Sequence, residues 1–198
     1  MNKKAITVGA IALSISTFAA VGGSLAYFTD SEQKNNVFAV GDVDIELTEP
    51  QWEQTEQHII VPGAEIQKDP TVTNVGVNDA YIRVKMTINN FNVIMDSFSD
   101  GIQKGVIKGF DNSLWTIESE TVSPDTDTCT VILIYNNILK NTDDGVKVFT
   151  SLFIPSDLDS ELEVIEDINP TVTVSAEAIQ SDGFDSARSA FAAFDTQK

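Results

Sequence analysis

Strict two-residue alternation of apolar and polar side chains runs through three segments of this chain and restricts what they can become. In YIRVKMTI, residues 81–88, Ile82, Val84, Met86 and Ile88 fall on one face, against Tyr81, Arg83, Lys85 and Thr87 on the other. In TVTVSAEA, 171–178, the apolar set is Val172, Val174, Ala176 and Ala178, opposed by threonines, Ser175 and Glu177. In DVDIEL, 42–47, Val43, Ile45 and Leu47 oppose Asp42, Asp44 and Glu46. Successive side chains of a strand point to opposite faces, so each segment reads as a strand with one face on a core.

Shorter strand candidates are HIIV at 58–61, PTVTNV at 70–75 and SLWTIES at 113–119. Two near-continuous apolar runs, CTVILIY at 129–135 and VKVFTSLFI at 146–154, suggest strands covered on both sides. Turn chemistry separates them: Pro62-Gly63, Asn78-Asp79, Asp111-Asn112, Pro124-Asp125 and Asp143-Asp144-Gly145. Helix is a minor component. SDLDSELEVIED, from Ser156, places Leu158, Leu162 and Ile165 on one stripe, and the tail FDSARSAFAAF spaces Phe184, Ala187, Phe191 and Phe194 at helical intervals with Asp185 as a cap. The segment 92–102 is ambiguous. The expected fold is all-β: an antiparallel two-sheet sandwich, jelly-roll-like, with one or two short helices.

The first 26 residues have the layout of a secretory signal. Lys3 and Lys4 form a basic start, Ala5 to Val21 is apolar, and Ser24 and Ala26 are small residues at the positions a signal peptidase inspects, with Tyr27 following the cut. An uncleaved anchor is the alternative, but the run is marginal for a bilayer and no basic residue follows it. The expected organisation is a signal peptide at 1–26, an N-terminal segment at 27–40 and a sandwich domain at 41–198. Cleavage removes two lysines and no acid, taking the net charge from −18 to −20. Such a body repels nucleic acid and anionic membranes, so contact with a membrane is expected only through the signal peptide. Cys129 is the sole cysteine, so the fold rests on its core without a disulfide; the thiol itself reads as a small buried hydrophobe.

AYFTDSEQKNNVFAVGDVDIEL, from Ala26, resembles the start of the camelysin/TasA-type exported proteins of Gram-positive bacteria through Ala26, Phe28, Asp30, Asn36, Phe38 and Gly41. VPGAEIQKDPTVTNVGVNDAYIRVKM at 61–86 is similar to a second signature of those proteins, and SAEAIQSDGF at 175–184 to their last strand. The resemblance implies a secreted jelly-roll protein of the biofilm matrix or cell surface, released by a dedicated signal peptidase. It also implies fibres built by donor-strand complementation, the N-terminal segment of one subunit completing the sheet of the next. In that scheme Tyr27, Phe28, Val37 and Phe38 are the apolar anchors, and Gly41 marks the turn into the chain's own first strand. The partner is then another copy or a related fibre subunit. The alternative for 27–40 is a leader, or a first strand of its own domain.

Camelysin-type relatives are also described as surface metallopeptidases. A zinc peptidase needs about three protein ligands and a general base. The one histidine, His58, has no helical partner four residues on, and a site built from it with Glu53 or Glu56 has no motif behind it. Asp157, Asp159 and Glu161 alternate as early calcium-loop ligands do, but Leu162 replaces the required glycine and Ile168 the closing glutamate. No nucleophile elbow and no glycine-rich phosphate loop is present, so no catalytic residue, metal or cofactor is assigned. Three functions remain in play: a fibre subunit, a surface metallopeptidase, and a non-fibrous adhesin or accessory subunit that caps or anchors fibres.

Overall fold

The computed structural model of the chain describes residues 37–40, 43–51, 62–90, 92, 94–156 and 171–196. Its largest element is a five-stranded sheet in the order β1-β11-β5-β8-β7. β5 (Ala80–Asn89) is the central strand, pairing antiparallel with β11 (Thr171–Gln180) on one side and β8 (Thr128–Tyr135) on the other. β7 (Trp115–Ser123) forms one edge and β1 (Val37–Val40) the other. Two smaller antiparallel sheets complete the sandwich. One joins β2 (Ile45–Thr48), β4 (Thr71–Asn74) and β9 (Val146–Lys147); the other joins β3 (Glu65–Gln67), β10 (Ser151–Phe153) and β6 (Ile107–Lys108).

The alternation read from the sequence is what places the core. Ile82, Val84, Met86 and Ile88 of β5 are buried, as are Val131 and Leu133 of β8 and Val174, Ala176 and Ala178 of β11. They meet Ile45, Leu47, Val72, Val146 and Leu152 of the smaller sheets in one continuous cluster. Burying each Val, Leu, Ile or Met side chain of this set contributes roughly 1.5–3 kcal/mol, so the cluster is the main source of stability. Two short helices complete the described fold, α1 (Phe98–Gln103) and α2 (Ala187–Asp195). Glu120 faces inward from β7 after a bulge between Ile117 and Ser119, and its carboxylate accepts the Phe98 and Ser99 amides at the start of α1.

Several expectations need correction. The run 146–154 is two strands, because the chain crosses from one small sheet to the other: the Val148 amide donates to the Pro70 carbonyl and the Thr150 amide to the Lys108 carbonyl. Its near-unbroken apolarity comes from a buried crossover, Val148 and Phe149 being almost fully enclosed. β8 is covered on both sides only near Ile134, where α2 lies over it; Thr128 and Thr130 remain half-buried. The cap of α2 is Ser186, one residue beyond the expected Asp185, and its hydroxyl accepts the Ser189 amide in a capping box. The ambiguous 92–102 segment ends in α1. β1 pairs parallel to β11, a connection that the local pattern does not reveal. The expected strand at 58–61 and the helix from Ser156 to Asp167 lie outside the described residues, apart from Ser156 itself.

Candidate assembly interface

One end of the sandwich, here the tip, collects the ends of β1, β4, β8 and β11 and the starts of β2, β5 and β7. The motif KDPTVTNVGVNDAYIRVK, 68–85, builds much of it. The Asn74 side-chain amide donates to the Asn78 and Leu139 carbonyls, both at 2.9 Å, while its oxygen accepts the Gly76 amide at 3.0 Å. Gly76 has no room for a side chain: a Cβ there would lie 2.5 Å from the Asp44 nitrogen. Ala80 and Leu139 exchange backbone hydrogen bonds, and the Tyr81 hydroxyl donates to the Phe184 carbonyl. Further along the same motif, the fully buried Asp69 carboxylate accepts the Gln51 amide at 2.9 Å and the Lys147 ammonium at 3.0 Å. Lys68 pairs with Glu49 at 2.8 Å. A buried charge is tolerated when its lone pairs are satisfied in this way, and these residues are framework.

The two chain ends that the sheet carries are held differently. β1 is bonded to β11 from Val37 opposite Ala176 to Val40 opposite Ile179, with no strand on its outer side among the described residues. At the other terminus α2 packs on the outer face of the sheet, seating Ala187, Ala190 and Phe191 against Tyr81, Ile134 and Ile179. Arg83 locks it there. Its guanidinium makes two parallel bonds to Asp195, at 2.7 and 2.8 Å, a third to Glu177, and stacks 4.5 Å from the Phe191 ring centre. Hydrogen bonding to Asp195, then to Glu177, raises the guanidinium above its ordinary range against the opposing effect of burial.

Of the residues singled out from the sequence, Val37 and Phe38 lie in β1 within their own sheet. Ser24, Ala26, Tyr27, Phe28, Gly41, Glu53, Glu56, His58, Asp157 and Asp159 lie outside the described residues. Among the described residues no three His, Cys, Asp or Glu side chains converge on a point that could hold a metal ion. The best-placed carboxylates are already engaged: Asp69 as above, Glu120 on α1, and Glu65, which Lys108 and Ser151 hold below the usual carboxylate range. These residues do not fit a metal centre. Burial pushes the Cys129 thiol up to about 11, so it is protonated at neutral pH and is no nucleophile.

The described residues define a β-sandwich with β1 at one margin of the largest sheet and α2 clamped on that sheet's outer face. A family model described as camelysin metallo-endopeptidase matches residues 1–124, and the chain belongs to that family. Comparisons with curated proteins and with solved structures found no match.

Proposed function

We propose that this protein is a secreted structural subunit of an extracellular matrix, polymerising through the segment freed when the signal is cut after Ala26. The observation that supports this reading is β1, a four-residue strand with no further strand on its outer side among the described residues. An edge offers unpaired backbone groups to another chain, and a head-to-tail contact that does not close on itself generates a filament.

The connection from β1 to β2 narrows the donated segment. Val40 and Ile45 both lie at the tip, and the short link between them spans at most about 17 Å. If β1 itself were handed over, donor and acceptor tips would be drawn face to face, and two copies would close into a dimer. The donor role therefore falls on 27–36, the part of the 27–40 segment that precedes β1, with Tyr27 and Phe28 at its free end.

Electron microscopy of the chain starting at Tyr27, beside one starting at Val37, tests the reading. Fibres are expected from the first only. Fibres of the same kind from both, or monomers from both at high concentration, would defeat it. The family's description favours a second reading, a surface metallopeptidase. That reading expects chelator-sensitive cleavage of casein by pure protein, lost in His58→Ala.

A further inference from the structure

Among the described residues, five large hydrophobic side chains stand exposed, and four of them belong to the tip: Val75 at 53 %, Val77 at 72 %, Ile138 at 38 % and Phe184 at 36 %. They come from three connections that hydrogen bonds tie into one platform. The Val75 and Gly76 amides both donate to the Asp44 carbonyl at 3.0 Å. Asn74 bridges the Asn78 and Leu139 carbonyls, which sets Ile138 beside the β4–β5 turn. The Ser181 amide donates to the Asp79 carbonyl at 2.9 Å and the Tyr81 hydroxyl to the Phe184 carbonyl at 3.2 Å, which brings in the β11–α2 turn. The fifth, Val122, is on β7 toward the opposite end. Single exposed apolar residues are ordinary, but four held outward on a fixed platform are an interaction surface.

Charge selects the occupant. Among the described residues of these three connections and the one before β2, six carboxylates, Asp44, Asp79, Asp143, Asp144, Asp182 and Asp185, stand against one cation, Lys140. Arg188, at the start of α2, is turned to Glu118 at 3.3 Å. Three of the acids sit within two residues of an exposed apolar side chain: Asp79 after Val77, and Asp182 and Asp185 on either side of Phe184. Such a rim repels anionic lipid, and it repels a second copy that presents the same tip. It attracts cations that flank an apolar contact. We infer that the tip docks a basic amphipathic segment of another protein, whose apolar side chains cover these four residues while its lysines or arginines face the carboxylates. This goes beyond the assembly reading and does not depend on it.

Fluorescence anisotropy of a labelled amphipathic helical peptide of leucine and lysine, titrated with the chain starting at Tyr27, tests this. Saturable binding is expected, and much weaker binding of the same peptide with glutamate for lysine or with serine for leucine. Val77→Asp should weaken binding about tenfold or more, the equivalent of one valine left uncovered. Val77 is so exposed that the melting temperature of this variant should match the unsubstituted chain, as circular dichroism can check. The variant also adds a negative charge, so binding driven by charge alone would tighten instead. Asp79→Asn with Asp182→Asn should weaken binding several-fold at low salt and less at high salt. Binding unchanged or tighter in Val77→Asp, or no binding of the leucine–lysine peptide, would overturn the inference. Equal binding of the glutamate peptide would overturn the basic partner. Capture of phosphatidylcholine vesicles that Val77→Asp abolishes would make the occupant a lipid surface. A dimer seen by light scattering and abolished by the same variant would make it a second copy. Either outcome would overturn the inference as well.

Discussion

The first and last described elements of this chain, β1 and α2, lie on the same sheet and are attached by different contacts. The C-terminal helix α2 is fixed by side chains: Phe191 is buried, and Arg83 engages Glu177 and Asp195 while stacking on the ring. The strand β1 pairs main chain to main chain with β11 along four positions. Side-chain clamps are specific to the residues that make them, whereas backbone pairing can be made with any strand that presents an edge. The helix α2 is thus tied to this sheet by residue-specific contacts. Main-chain pairing of the kind that β1 makes is open to any strand that reaches a free edge.

The largest way to break this contrast is to remove the clamp. Arg83→Ala leaves Glu177 partly buried without its guanidinium and takes away the cation over Phe191. A loss of about 2–3 kcal/mol in denaturant unfolding is expected, below the range for a fully enclosed pair because Asp195 is half exposed. Amide exchange should accelerate in α2 and leave β1 unchanged. A cation raised above its unfolded value contributes in full below that value and loses the contribution only as pH climbs through the folded one. Arginine loses its proton only well above pH 10 even when unperturbed, so the cost of Arg83→Ala should not shrink between pH 7 and 10. A cost that shrank over this range would mean that Arg83 is not the charge that matters.

That clamp also marks where the sequence stops being legible. Alternation in 81–88 placed Ile82, Val84, Met86 and Ile88 on the core and Arg83 on the opposite face, and both placements hold. It could not tell that Arg83 would nonetheless be buried, because the covering helix comes from the far end of the chain and local periodicity carries no long-range pairing. Val148 and Phe149 misled for the opposite reason: a buried crossover is as apolar as a buried strand, so hydropathy alone cannot separate them. The parallel partner of β1 was equally invisible. The turn signals at Asn78-Asp79 located the tip, but not that three separate loops would gather their apolar residues there. The leader residues from Ser24 to Phe28 were read by signal-peptide layout and resemblance, which supply a role without a geometry.

A smaller effect is expected at the other end. Starting the chain at Asp42 deletes β1 and exposes the edge of β11 over Ala176 to Ile179. Cross-strand pairs contribute about 0.2–1 kcal/mol each, so four in the lower half of that range, as suits a short parallel pairing, should cost about 1–2 kcal/mol in total. Exchange should accelerate at the amides of β11 that bond to β1, with α2 untouched. If α2 loosened too, the two attachments would be one cooperative unit, and the N-terminus could not be committed elsewhere without releasing the C-terminus.

The smallest change asks whether α2 holds itself together or is held by the sheet. Ser186→Ala removes the hydroxyl that accepts the Ser189 amide and half of the capping box, at a cost of about 0.5–1 kcal/mol. A nine-residue helix is too short to persist in water by itself, so its order must come from Phe191 and Arg83. Global stability should therefore fall only by the small capping cost, and exchange should accelerate in the first turn and not at Phe191 or beyond. If the whole helix exchanged as fast as in Arg83→Ala, the cap and not the clamp would be what holds the C-terminus. The two ends would then differ in location rather than in the kind of bond that fixes them.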